Sequence, residues 1–181
     1  MSGQKFRVFD GGQIMMTASA MANSIISQIQ NIDKPEAANS SFMTALCNYV
    51  SSAAEVYYGW SAVSPPPAST PDPTVIIQAK IVATGSLSPS GANTPESALA
   101  AFSASLNATA ATWTILWPPG FALSPALVIP TINITPSMKD NMNDAWNAVC
   151  GQIIAGIKAA TPAATGSHGA YVGAASFTQI L

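Results

Sequence analysis

The chain has 181 residues, of which 49% are apolar and only 8% are charged, and its formal net charge is −2. Disordered chains combine low hydrophobicity with high net charge, so this composition predicts a folded chain, long enough for one domain. The six Lys and Arg residues are spread over the whole length and form no basic patch, which argues against direct nucleic-acid binding. Free soluble domains carry about 25% charged residues. We therefore expect other subunits to cover much of the surface.

Helical periodicity dominates the first third of the chain. Residues 1–13 are assigned to an N-terminal arm, in which no apolar run of signal-peptide length is present. Apolar residues then recur at steps of three and four, which predicts an amphipathic helix over 14–32. A second stripe follows Pro35, a residue favoured at the first position of a helix. It predicts a helix over 35–60.

The middle of the chain reads as a connector followed by strands and one helix. The segment "SPPPASTPDP", residues 64–73, is typical of a stiff polyproline connector. The β-branched run after it predicts a strand over 74–84. A helix is predicted over 95–109, with Pro95 in its first turn. Aromatic and β-branched runs predict two more strands, over 112–117 and 126–134.

The last third contains one long helix and an apolar tail. Ser137, with Asp140 three residues on, has the pattern of a capping box, and the apolar stripe after it predicts a helix over 138–160. Residues 162–181 are assigned to a C-terminal arm that ends in "SFTQIL". Because a solvated tail rarely ends in an apolar run, we expect this arm to lie on a neighbouring subunit or to add a strand to one.

Together these elements predict an α+β fold. Four amphipathic helices pack with a small, mainly antiparallel sheet in a single domain over 14–161, and extended N- and C-terminal arms flank that domain. Cys47 and Cys150 both fall within predicted helices, where free thiols pack as small apolar groups. We expect both to be reduced and buried.

No motif of catalytic, cofactor-binding or metal-binding type is present in the sequence. His168 is the single histidine, which leaves no set of His ligands for zinc, and no glycine-rich phosphate loop occurs. A hydrolase that uses Ser167 with His168 is a weak alternative, since glycines flank the pair. No uninterrupted apolar run reaches the roughly 20 residues of a spanning helix. We therefore predict no enzyme, no cofactor, no metal and no membrane insertion.

Aromatic and terminal apolar residues are the candidates for an interaction surface. Trp113 and Trp117 flank a predicted strand, and "WPPGFALSP", residues 117–125, is predicted to be a contact loop that docks onto another subunit. The alternative is a carbohydrate- or ligand-binding module in which Trp113 and Trp117 form a stacking platform. The complete set of interface candidates is Trp113, Trp117, Phe121, Tyr171, Phe177, Ile180 and Leu181.

Two low-charge, Ser/Thr/Ala-rich stretches resemble the structural proteins of tailed bacteriophage particles. They are "SGANTPESALAAFSASLNATAATWTILWPPGFALSP", residues 90–125, and "GAYVGAASFTQIL", residues 169–181. The resemblance is one of composition. It implies a non-enzymatic virion subunit, a capsid cement or decoration protein or a neck, tail or baseplate protein, that is assembled in the host cytoplasm. The implied partners are further copies of the chain and other virion proteins.

Overall fold

The structure is a computed structural model that describes residues 15–30, 35–63, 75–85, 95–135, 139–160, 163–168 and 171–181. The predicted N-terminal arm, 1–13, and the proline-rich connector, 64–73, lie outside these residues. Within them the chain combines helices with an antiparallel sheet. The predicted α+β fold is confirmed.

Four helices are present in the described parts of the chain, at the four places where the sequence predicts them. They are α1 (Ala18–Ile29), α2 (Pro35–Ala53), α3 (Pro95–Ala110) and α4 (Met142–Lys158). In the described ranges, no helix has the length and apolar character that crossing a membrane requires.

The second helix ends earlier than the sequence predicts. Instead of continuing to residue 60, α2 stops at Ala53, and strand β1 (Glu55–Val63) follows. Val56 and Tyr58 are fully buried while Tyr57 between them is half-buried, which is the two-residue alternation of a strand. Val, Tyr and Trp favour strands because their side chains pack well on a pleated surface.

Polar side chains cap the two helices whose N-termini the structure describes. Thr17 Oγ1 accepts a hydrogen bond from Ala20 N–H at the start of α1. At the start of α4, Asn141 Oδ1 accepts from Asp144 N–H at 2.9 Å, and Asn141 Nδ2 donates to Asp144 Oδ2 at 2.8 Å. The capping residue of α4 is therefore Asn141 and not the predicted Ser137. Asn and Ser cap helices about equally well, so residue type alone did not distinguish the two positions.

Within the described residues the sheet has six strands rather than the three predicted. Strands β2 (Val75–Val82) and β3 (Thr114–Leu116) lie within the predicted segments 74–84 and 112–117, and β4 (Phe121–Ala126), β5 (Ala163–His168) and β6 (Tyr171–Ile180) complete it. The spatial order is β3-β2-β1-β6-β5-β4, and every neighbouring pair is antiparallel.

Two predicted segments differ from the observed sheet. The strand expected over 126–134 is absent: β4 ends at Ala126, and residues 127–135 run without strand pairing over the helices. The predicted C-terminal arm, 162–181, forms β5 and β6 of this chain's own sheet, and β6 pairs with β1 on one side and β5 on the other. Its apolar end is accounted for within the chain, because Ile180 is buried opposite Val56.

The sheet must be strongly curled. Its two edge strands, β3 and β4, are joined by residues 117–120 alone, and so short a connection spans at most about 18 Å. In a flat six-stranded sheet the two edges would be about 24 Å apart. Accordingly, β3 and β4 approach each other.

The hydrophobic core lies between the helices and one face of the sheet. Val56, Ile77, Ile81 and Ile115 supply the sheet side. α1 packs against α2 and α4, while α2 contacts β2 and α4 contacts β6. The core-facing helical side chains include Met21, Ile25, Leu46, Val50, Ile153 and Ile157, all of them fully buried.

Candidate functional site

An apolar groove lies where β2 and β3 meet the connection to β4. We call it the turn groove. It has a volume of about 230 Å³ and is lined by Gln78, Lys80, Leu116, Trp117, Pro118 and Pro119. Gln78 and Lys80 alternate along β2 with the buried Ile77, Ala79 and Ile81, so the groove lies on the sheet face turned away from the helices.

A tight turn forms the wall of the turn groove. Phe121 N–H donates to the Pro118 carbonyl at 3.3 Å, and Gly120 has a φ of 90°. Proline in the second position and a glycine with positive φ in the third are the requirements of a type II turn. Such turns splay the strands they join, and β3 and β4 accordingly do not pair.

Trp117 anchors this turn to the core. Its ring lies 4.9 Å from that of the buried Tyr58, centroid to centroid, at an angle of 48°. The indole Nε1 is buried and has no hydrogen-bond partner among the described residues. Trp117 therefore holds the turn in place and leaves Leu116, which is 61% exposed, as the apolar side chain that projects from it.

Trp113 belongs to the core and not to a surface. It is only 3% exposed, and its Nε1 donates to the Thr84 carbonyl at 3.2 Å. The predicted role of Trp113 as an interface residue is therefore corrected. For the same reason, Trp113 and Trp117 cannot form an exposed stacking platform for a sugar.

The other interface candidates lie in or beside β4 and β6. Phe121 is half-buried against the core, Ile180 is buried, and Leu181 is half-exposed. Leu181 N–H donates to the Glu55 carbonyl at 2.9 Å, which extends the β1–β6 pairing by one residue. Tyr171 pairs with His168, and Phe177 pairs with Tyr58. Their backbones are thus part of this chain's own sheet.

Charged groups near the turn groove are few. Glu55 lies opposite Lys80 across the β1–β2 pair and is only 3% exposed. Its Oε2 accepts a hydrogen bond from the Tyr57 hydroxyl at 2.7 Å. Lys80, by contrast, is exposed. It is the charge that a molecule entering the groove would meet.

A second exposed feature lies at the start of α4. We call it the α4 tip and define it by Asp140, Met142 and Asp144, all of them exposed. Met142 is 56% exposed, which is unusual for so large an apolar side chain. Lys139 is also exposed beside the tip, so the local net charge is −1. One turn further on, Trp146 stacks on Phe42 of α2 at 5.1 Å and ties the start of α4 to the core.

The thiols of the two cysteines have low reactivity. Cys47 and Cys150 are free and buried. Burial raises the pKa of Cys47 to about 11 and that of Cys150 to about 12, because desolvation disfavours the thiolate. Since the thiolate is the reactive form, neither residue is a nucleophile near neutral pH. Among the side chains that the structure describes, no three His, Cys, Asp or Glu residues are grouped to hold a metal ion.

No protein-family model matches the chain, and neither a curated protein nor a solved structure matches it.

Proposed function

We propose that this chain is a non-enzymatic structural subunit of a symmetric assembly built from many copies. The observation that carries this proposal is the scarcity of charge on the part of the surface that the structure describes. Among the described side chains between residues 41 and 135, Lys80 is the only exposed one that bears a charge. Among the side chains whose exposure the structure describes, the other exposed charged ones are Lys139, Asp140 and Asp144, which lie together before and within the first turn of α4.

Such a surface suits burial against another protein. Soluble monomers carry about 25–35% charged residues on their surface, and these keep copies apart. Neutral Ser, Thr and Asn side chains and apolar groups are removed from water at much smaller cost than ions. The interior of protein interfaces is correspondingly depleted of charge. A chain with this surface is therefore suited to assembly with neighbouring subunits.

The assembly we propose is the particle of a tailed bacteriophage. The support is the resemblance of residues 90–125 and 169–181 in composition to virion structural proteins. In that setting the subunit is made in the host cytoplasm and becomes part of the virion, where it holds neighbouring subunits together. Its partners are further copies of itself and other virion proteins.

The experiment that tests the proposal is a measurement of molar mass in solution. Size-exclusion chromatography with light scattering, over a range of protein concentrations, is expected to give at least twice the mass of one chain, and negative-stain images are expected to show rings, sheets or filaments. Circular dichroism on the same sample shows that the protein is folded. A folded protein that remains monomeric at every concentration would contradict the proposal.

A further inference from the structure

We propose that the turn groove of one copy receives the α4 tip of a second copy. This inference rests on the proposed function, since it assigns the surfaces through which the subunits would join. The groove is concave and apolar, with one exposed cation, Lys80. The tip presents an exposed apolar side chain, Met142, between two exposed carboxylates, those of Asp140 and Asp144.

Charge complementarity selects this occupant. A segment that enters the groove removes Lys80 from water, and the cost falls if a carboxylate meets its ammonium group. Among the side chains whose exposure the structure describes, Asp140 and Asp144 carry the exposed carboxylates. The side chain of Asp144 is held within the cap by its hydrogen bond with Asn141, so we assign Asp140 as the direct partner of Lys80.

The apolar parts of the two surfaces also match. Leu116 and Met142 are large side chains of which more than half remains in contact with water, and each lies beside one of the charges described above. Contact between them would shield both from water. Met suits such a contact because its unbranched, flexible side chain adapts to an irregular groove.

A contact of the groove with itself is disfavoured, because two grooves facing each other across a twofold axis would bring Lys80 close to Lys80. Like charges opposed across an interface disfavour the contact and exclude wrong partners. The groove and the tip belong to different layers of the fold, since the groove lies on the sheet face turned away from the helices.

The resulting contact is head-to-tail. A head-to-tail contact generates a ring when its rotation closes and a filament when it does not. Both forms occur in symmetric assemblies of many copies. The inferred contact therefore fits the proposed function and specifies that the subunits join head to tail.

Charge reversal tests the pairing. We expect Lys80→Glu alone, and Asp140→Lys alone, each to weaken self-association by about tenfold or more, because like charges then face each other. The double variant Lys80→Glu with Asp140→Lys restores the opposite-charge pair and is expected to recover most of the association. Lys158→Glu, at the other end of α4, is the matched control and leaves association unchanged. Analytical ultracentrifugation gives the association constants, and circular dichroism shows that each variant is folded, because Lys80→Glu also sets a second carboxylate opposite Glu55.

The outcomes separate this inference from the proposed function. If the wild-type protein is a folded monomer, the proposed function itself fails and the inference fails with it. If the wild-type protein associates but both single reversals associate as strongly as it does, only the assigned surfaces are wrong. Weakening in both single variants without recovery in the double variant would also overturn the pairing of Lys80 with Asp140.

Discussion

The space around two glycines of α4 differs sharply. An ideal Cβ at Gly151 would lie 3.9 Å from Ala18 Cβ, an ordinary van der Waals contact, whereas a Cβ at Gly156 would lie 2.6 Å from Ile132 Cγ1. At Gly156 the absence of a side chain lets the segment 127–135 lie close against the helix. At Gly151 no such close contact requires a glycine.

These glycines predict opposite effects of the same substitution. Glycine in a helix costs about 0.5–1 kcal/mol relative to alanine, so Gly151→Ala is expected to raise the free energy of unfolding by that amount. Gly156→Ala is expected to lower it by about 1–3 kcal/mol, because the methyl group overpacks against Ile132. Urea denaturation followed by circular dichroism measures both. In an Ile132→Ala background the cost of Gly156→Ala should disappear, and equal stabilisation by both alanines in the native background would contradict the packing argument.

At the level of whole elements, polar side chains of three helices form hydrogen bonds with backbone groups that no neighbouring strand pairs. Asn107 of α3 accepts from Ile132 N–H at 2.7 Å and donates to its carbonyl at 3.0 Å. Gln152 of α4 binds both backbone groups of Thr135 in the same way, and Ser51 of α2 binds those of Ala83. Buried backbone groups need such partners wherever no neighbouring strand supplies them. In a chain with so few charged side chains, neutral polar side chains supply these hydrogen bonds.

The Asn107 contact predicts a specific loss of stability. Asn107→Ala leaves the N–H and carbonyl of the buried Ile132 without these two hydrogen bonds, and an unsatisfied buried group costs about 1–3 kcal/mol. We expect the free energy of unfolding to fall by at least that amount. The matched control is Asn48→Ala at an exposed position of α2, where alanine is the better helix former and a small gain is expected. A cost for Asn107→Ala no larger than the effect of the control would show that this contact does not hold the segment.

The elements differ in how far the sequence determines them locally. The apolar stripes predict all four helices, because a buried helical face leaves a signal within one short segment. The start of β1 was missed because Ala53, Tyr57 and Trp60 continue the helical spacing beyond the true end of α2. The strand exists because β2 and β6, remote in sequence, pair with it on both sides.

The candidate site also combines features that the local sequence predicts with features that depend on remote parts of the chain. Pro118, Pro119 and Gly120 form a turn that can be read from their residue types. The burial of Trp113, by contrast, depends on the Thr84 carbonyl and on the packing of remote elements. Local sequence therefore indicates the turn at residues 118–120, but residues 121–125 of the predicted contact loop lie in strand β4. Local sequence also does not determine which side chains there reach the surface, as the exposure of Leu116 shows.

At the scale of the whole molecule, the two halves of the sheet depend on the C-terminal strand. β6 lies between β1 and β5, so it joins the β1–β2–β3 half of the sheet to the β4–β5 half. Its pairing with β1 includes a register shift where Tyr57 faces Gln179 and Tyr58 faces Phe177. Ile180 is buried beside Val56, which ties the end of the strand to the core.

Removal of residues 161–181 is therefore expected to unfold the domain. Truncation after Ala160 deletes β5 and β6, exposes the inner edge of β1 and leaves β4 without its strand partner. We expect the truncated chain to lose its cooperative thermal transition by circular dichroism and to aggregate, since an unpaired central strand becomes an open edge. Leu181→Ala, at the half-exposed last residue, is the control and is expected to keep the transition. A truncated chain that melts cooperatively near the wild-type temperature would mean that these residues act as a detachable arm, because the rest of the sheet would then be stable without them.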